Sequence, residues 1–355
     1  MENATIGNSI TSIGEYAFYN CGSLASITIP DGVTSIGKYT FYNCSSLENA
    51  TIGNSVTSIG EYAFSNCSSL ASITIPDGVT SIGEDAFSRC SSLTNINIPD
   101  SVTSIGRGVF AGCSSLTNVT IPDSVTSIGE QAFFGCSSLT SVTISNSISS
   151  IENRTFQECY SLTNVTIPDS VTSIGEQAFQ HCISLTSITI PDNVYFIGAR
   201  AFRYCSNLAS VNIPDSVTSI EYGTFKNCSS LTSITIPDSV TSIEEYAFCF
   251  CGSLANVTIG NSVTSIGENA FYGCFLTSIT IPDSVTSIGK WAFMYCSCLS
   301  NVYCKPKVPP TLEASPFGES PLDPKIYVPT ESVDVYKSAS YWSEYAKNIE
   351  GYDFQ

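Results

Sequence analysis

Apolar residues recur along this chain in one pattern that repeats every 23 positions. In the copy over residues 116–138, Leu116, Val119 and Ile121 are separated by polar residues. This spacing is typical of a short strand with one buried side. Pro122 and Asp123 follow, and they are turn residues because proline fixes φ and aspartate can bond its own backbone. The first part of each copy is therefore predicted to be a strand followed by a turn.

The second part of each copy carries two more apolar groups. Val125 and Ile128 form the first, which predicts a further short buried segment. Ala132, Phe133 and Cys136 form the second, at a spacing of i, i+1 and i+4. That spacing predicts one helical or 3-10 turn on the inner side of the copy.

Glycine recurs between these two groups, as at Gly129. We expect it to supply a backbone conformation with positive φ. The requirement is not strict, because Glu152, Glu221 and Glu244 occupy the same position in other copies.

Cysteine marks the repeat, at a constant spacing of 23 until a final step of 22. The thirteen cysteines of this column are Cys21, Cys44, Cys67, Cys90, Cys113, Cys136, Cys159, Cys182, Cys205, Cys228, Cys251, Cys274 and Cys296. One copy is too small to enclose a core, whereas stacked copies shelter each other. The pattern predicts a leucine-rich-repeat solenoid, a right-handed superhelix with a parallel β-sheet on one face and short strands and 3-10 or helical turns elsewhere.

The repeat ends near Val302, which predicts two domains. Residues 1–302 form the solenoid of about thirteen coils, and residues 303–355 form a small α+β cap over the last coil. The cap includes an amphipathic helix whose apolar side carries Val333, Tyr336, Ala339, Trp342 and Tyr345.

Composition excludes several classes of function. Charged residues make up 12% of the chain, and the net charge is −18 with a single histidine. A strongly acidic chain repels nucleic acid and anionic membranes, so neither is an expected partner, and no apolar run is long enough to insert into a bilayer. His181 has no partner at a catalytic spacing, so we predict a turn residue, no catalytic residues, no enzyme activity and no cofactor.

The frame LTxITIPDSVTSIGxxAFxxC over residues 4–302 closely resembles the BspA-like leucine-rich repeats, and IYVPTESVDVYKSASYWSEYAKNI resembles the terminal segment of many members. The resemblance implies a secreted or cell-surface protein that binds host extracellular-matrix or bacterial surface proteins, such as fibrinogen and fibronectin, in adhesion. The expected localisation is therefore extracellular or at the cell surface. The start MENATIGNSITSIG carries no export signal and opens inside a repeat, so we expect that an N-terminal targeting segment has been trimmed.

The column cysteines stand beside the apolar columns, so we expect buried free thiols acting as small apolar residues. Disulfides between neighbouring coils are disfavoured because parallel Cβ atoms would lie too far apart. Cys249, Cys298 and Cys304 lie off the column, but they form no CxxC pair, so no metal site is predicted.

Outward positions of the predicted sheet carry hydroxyl and amide side chains. We predict that this face contacts the ligand, because solenoids commonly bind through such a surface. An alternative is a Thr/Ser array that binds carbohydrate or ice, and another is a purely structural spacer in a surface layer. The candidate ligand-binding residues are Thr28, Thr51, Thr74, Asn97, Thr120, Thr143, Thr166, Thr189, Asn212, Thr235, Thr258 and Thr280.

One copy deviates from the others on its outer surface. Tyr195 and Phe196 replace the usual Thr-Ser pair, and Arg200 and Arg203 follow closely. Aromatic and arginine side chains carry much of the affinity in protein interfaces. These four residues are the predicted hot spot for a protein partner.

Overall fold

The computed structural model describes residues 3–314, 316–318 and 323–354, and the chain divides into two compact units, Met1–Ser184 and Leu185–Gln355. Each unit is a solenoid of short parallel strands, which confirms the predicted fold class. The boundary between a solenoid over 1–302 and a cap over 303–355 stays a prediction.

Most coils contribute to two rows of strands. The first strand row contains the L-x-x-I-x-I segments, paired in register with the next coil, as in Ser141 with Asn118. In the first unit its strands are Asn3–Thr5, Ser26–Thr28, Asn49–Thr51, Ser72–Ile73, Asn118–Thr120, Ser141–Thr143 and Asn164–Val165. In the second unit they are Ser187–Ile188, Ser210–Val211, Ser233–Thr235, Asn256–Thr258, Ser278–Ile281, Asn301–Cys304, Lys325–Pro329 and Ile349–Tyr352.

The second strand row follows the proline turn of each coil. In most coils it is a Ser-Ile dipeptide, and its isoleucine, or Leu312 in the last of these strands, is buried in the core. In the first unit its strands are Ser35–Ile36, Ser58–Ile59, Ser81–Ile82, Ser104–Ile105, Ser127–Ile128, Ser150–Ile151 and Ser173–Ile174. In the second unit they are Phe196–Ile197, Ser219–Ile220, Ser242–Ile243, Ser265–Ile266, Ser287–Ile288 and Thr311–Leu312.

The segment before each cysteine differs from the predicted helical turn. In one coil Ser65 N–H donates to Tyr62 O at 3.2 Å, whereas Phe64 N–H donates to Ala86 O of the next coil at 2.8 Å. Tyr62 and Asn66 have φ of 55° and 62°. Left-handed residues interrupt a right-handed helical turn. The segment is therefore a pair of tight turns in which alternate amides bond to the neighbouring coil.

Phenylalanine rings form a continuous stack in the core of each unit. Phe133 is fully buried, and its ring centroid lies 5.5 Å from those of both Phe110 and Phe156. The column cysteines pack beside this stack. Their thiols donate hydrogen bonds to phenylalanine carbonyl oxygens, as Cys113 Sγ does to Phe87 O at 3.2 Å. This contact recurs with similar lengths in both units and gives a second donor to a buried carbonyl oxygen, since Phe87 O also accepts from Cys90 N–H at 3.2 Å.

Helical residues are confined, among those described, to the C-terminal part of the second unit. The α-helix Val333–Ser338 lies between the 3-10 helices Thr330–Ser332 and Trp342–Tyr345. Buried Tyr336 donates its hydroxyl to Pro306 O at 2.7 Å, and Trp342 Nε1 donates to Pro310 O at 2.8 Å. These bonds attach the helical residues to the segment that contains Pro306 and Pro310. Phe317 continues the ring stack, 5.5 Å from Phe293.

Gly129 does not have the positive φ expected from the sequence. A Cβ built on it would lie 2.5 Å from Arg107 N of the preceding coil, so glycine permits close approach of two backbones. Where glutamate stands in this column, its carboxylate is held by a serine two residues earlier, as in the 2.6 Å bond from Ser219 to Glu221.

Replacing Gly129 by alanine is expected to destabilise the first unit by ~1–3 kcal/mol, because the added methyl group forces two coils apart. The matched control is Gly14→Ala, in the same column, where a Cβ would meet no atom within 4 Å. Urea unfolding followed by circular dichroism measures both changes. Equal effects of the two substitutions would show that backbone contact between coils is not the reason for the glycine.

Candidate functional site

The candidate ligand-binding column lies on the outward side of the first strand row. All twelve of its Thr and Asn residues are exposed in their units. Neighbours align directly, as Thr143 does with Thr120 and Thr235 with Thr258. The face therefore presents rows of hydroxyl groups one strand spacing apart, as the sequence predicts.

Part of this face is occupied by hydrogen bonds within the protein. Asn212 accepts from Ile190 N and donates to Ile190 O, both at 2.8 Å. Ser141 donates to Asn118 Oδ1 at 2.6 Å. These bonds hold the side chains in fixed positions, and they leave short neutral hydroxyls as the groups that a ligand would contact. Such a surface binds weakly at each coil and needs many coils for affinity.

The four predicted hot-spot residues occupy two surfaces of one coil. Tyr195 and Phe196 lie at the second strand row and are 59% and 42% exposed. Arg200 and Arg203 lie on the tight turns, where their ring partners are Tyr222 at 4.7 Å and Tyr204 at 4.9 Å. Whether the four residues act together in binding stays a prediction.

The arginines belong to a larger cluster on the turn surface of the second unit. Lys226 Nζ lies 4.2 Å from the centre of the Tyr246 ring, which adds a third cation over a tyrosine. Burial raises the pKa of the nearby Cys249 thiol to about 11, and the charges of Lys226 and Arg203 oppose that rise. We call this cluster the cation–aromatic patch, and its members are Arg200, Arg203, Tyr204, Tyr222, Lys226 and Tyr246.

The first unit carries a second aromatic cluster, which sequence reasoning missed. Tyr16, Tyr39 and Tyr62 stack with centroids 5.0 and 4.8 Å apart, and Tyr19 stacks on Tyr42 at 5.2 Å. These rings lie on the tight turns, at the positions five and two residues before the column cysteine. The signal was present in the sequence, because tyrosine recurs at these two positions in the first copies of the repeat.

The residue types that could support catalysis or metal binding do not cluster among the described residues. His181 is half-buried on a tight turn with φ of 64°, and its ring lies 6.4 Å from that of Tyr160. All sixteen cysteines are free thiols, and those of the column are buried except Cys21. Within the described ranges, no group of three or more His, Cys, Asp or Glu is placed to hold a metal ion. No described helix has the length and apolar character of a membrane span.

Stacked parallel coils with a buried phenylalanine column and exposed polar strand rows define a repeat solenoid of the leucine-rich class. The sequence model of the BspA type leucine rich repeat region matches residues 1–117, 104–232 and 218–346. The chain belongs to this family. None of the curated proteins compared with it is significantly similar.

Solved bacterial structures share the fold. A leucine-rich repeat protein from Bacteroides ovatus is 29% identical, with 99% of this chain and 92% of that chain covered and a TM-score of 0.71. A leucine rich cell surface protein from Faecalibacterium prausnitzii is 29% identical, with coverages of 100% and 89% and a TM-score of 0.50. The pneumococcal vaccine antigen PcpA is 20% identical, covers 99% and 87% at a TM-score of 0.59, and shows the fold alone.

Proposed function

We propose that this protein is a non-enzymatic adhesion module, displayed on or secreted from the cell, that binds host extracellular-matrix or bacterial surface proteins. The observation that carries the proposal is the cation–aromatic patch. Its cations lie over tyrosine rings at 4.2–4.9 Å on the surface of a chain with net charge −18. The relative from Faecalibacterium prausnitzii, described as a cell surface protein, supports the location.

The chemistry of the patch suits a protein partner with an acidic segment. Arginine and tyrosine are enriched among the residues that dominate interface affinity, and a ring already packed on a guanidinium loses little freedom on binding. Positive charge on an otherwise acidic protein orients the approach of a negatively charged segment. The hydroxyl rows of the first strand row then add many weak contacts along the coils.

Removing the three charges of the patch is expected to weaken partner binding by at least about tenfold, because two are predicted hot-spot arginines and the third, Lys226, adds to the positive charge that would face an acidic partner segment. The variant is Arg200→Gln, Arg203→Gln and Lys226→Gln. Glutamine is found naturally at the equivalent positions Gln177 and Gln180, so it preserves the turns. Binding is measured by surface plasmon resonance on immobilised fibronectin and fibrinogen, and by pull-down from bacterial surface extracts.

Two control variants test the other half of the predicted hot spot and the loss of a charge elsewhere in the protein. Tyr195→Thr with Phe196→Ser restores the usual dipeptide and tests the other half of the predicted hot spot. Arg107→Gln removes an arginine of the first unit that is paired with Glu84, and it should leave binding unchanged. Equal affinity of the triple variant and the unmodified protein would remove the patch as the binding surface, and absence of any captured protein would contradict the adhesive role.

A further inference from the structure

The outward face of the first strand row changes its chemistry at its C-terminal strands. Thr280 aligns with Tyr303, and Tyr303 aligns with Tyr327. Two tyrosine rings therefore stand in the column where earlier strands of this unit carry threonine or asparagine. The polar face ends in an aromatic surface, which the repeat pattern does not predict.

Four aromatic rings meet at this place. Tyr303 and Tyr327 are stacked with centroids 5.0 Å apart and planes 14° apart. Tyr352 stands across them, 5.5 Å from Tyr303 at an interplanar angle of 69°, and it contacts Phe354 at 4.9 Å. Tyr327 thus covers one face of the Tyr303 ring, and the Tyr352 ring, which is 44% exposed, stands at a steep angle to both.

Tyr303, Tyr352 and Phe354 border a cleft of about 570 Å³, which lies in the size range of small-molecule sites. Its polar groups are the Thr280 hydroxyl, the Lys305 ammonium and the Asp353 carboxylate. Thr280 and Asp353 are exposed and Lys305 is half-buried, so all three are open to a ligand in the cleft. The cleft therefore combines flat apolar faces with a donor, an acceptor and a group that is both.

We propose that this cleft binds a neutral sugar unit of a glycan. A pyranose ring has an apolar face of C–H groups, which packs on aromatic rings, and a rim of hydroxyls that both donate and accept. Lys305 disfavours a cationic ligand, while Asp353 and the net charge of −18 disfavour an anionic one. The inference goes beyond the protein contacts proposed above and rests on a different surface of the second unit.

Saturation-transfer NMR on the full chain tests the proposal with methyl glycosides of glucose, galactose and N-acetylglucosamine. At least one neutral glycoside is expected to give a transfer signal. Tyr352→Ala and Tyr303→Thr, the latter restoring the residue of the column, should each lower its affinity by about tenfold or more, because each removes a stacking face. Asp353→Asn should weaken binding less, since it keeps an acceptor oxygen.

Tyr160→Ser serves as the matched control, because it replaces an exposed tyrosine of the first unit by the residue that the preceding repeat carries as Ser137. It should leave the transfer signal unchanged. Sialyllactose and a tyrosine-containing dipeptide are run in parallel. A signal for sialyllactose or the dipeptide alone, no signal for any neutral glycoside, or equal affinity in the Tyr352 and Tyr303 variants would overturn the proposal.

Discussion

Raising the pH from 8 to 10 is expected to unfold the protein. Burial raises the pKa of the Cys113 thiol to about 12 and that of Cys296 to about 12, with hydrogen bonds at neighbouring cysteines opposing the rise. Burial moves the pKa of other deeply buried thiols in the same direction. These others are Cys90, Cys136, Cys159, Cys228, Cys274 and Cys304.

The sign of the effect follows from the protons bound in each state. Below the unfolded thiol pKa of ~8.5 both states are protonated, and the thiols add no pH dependence. Above that pH the unfolded chain releases its thiol protons while the folded chain retains them, so the free energy of unfolding falls until the folded pKa is reached. Between pH 8 and 10 a thiol that stays protonated in the folded state costs ~2 kcal/mol, so several such thiols are enough to offset the ~5–15 kcal/mol of a typical domain.

Urea unfolding at pH 7, 8, 9 and 9.8 measures this loss. The matched variant is Cys113→Ser, whose hydroxyl can still donate to Phe87 O but does not ionise in this range. Its free energy of unfolding should fall less steeply above pH 9, by ~1.4 kcal/mol per pH unit. The same series in high salt removes the general repulsion of an acidic chain. A free energy that is constant from pH 8 to 10 would contradict the buried neutral thiols.

Most of the fold was predictable because its core positions are periodic. The Leu, Ile, Phe and Cys columns each recur every 23 residues, and repetition made their inward direction certain even though one strand such as Ser58–Ile59 is too short to recognise alone. The tight turns were not predicted. Apolar spacing over Ala132, Phe133 and Cys136 fits a helical turn, but it does not report φ, and Gln131 and Gly135 adopt φ of 59° and 68°.

The candidate surfaces were predictable only where they repeat. The Thr and Asn column was found because every coil copies it, and the structure places it outward. The contacts of Arg203 with Tyr204 and of Lys226 with Tyr246 depend on side-chain directions at positions that vary between coils. The C-terminal cleft brings Tyr303 and Tyr352 together from strands far apart in sequence, and no local pattern links them.

Truncating one ring of the phenylalanine column, Phe133→Ala, is expected to lower the free energy of unfolding by ~3–5 kcal/mol. Phe133 is fully buried, with a ring on each side at 5.5 Å. Removing it leaves a cavity between two coils, and the alternate amide bonds to the neighbouring coils resist its collapse. Because each coil is stabilised by its neighbours, the loss should appear in the whole first unit.

Two controls test that explanation, with urea unfolding and hydrogen exchange as the measurements. Phe18→Ala truncates a ring of the same column that is half-buried and stacked on Phe41, so it should cost less than half as much. Thr143→Ala, on the exposed strand face, should change stability by no more than ~0.5 kcal/mol. Two outcomes would contradict this explanation: Phe133→Ala lowers the free energy of unfolding no more than Thr143→Ala, or it increases hydrogen exchange in its own coil alone. In either case the backbone hydrogen bonds, and not the ring stack, would couple the coils.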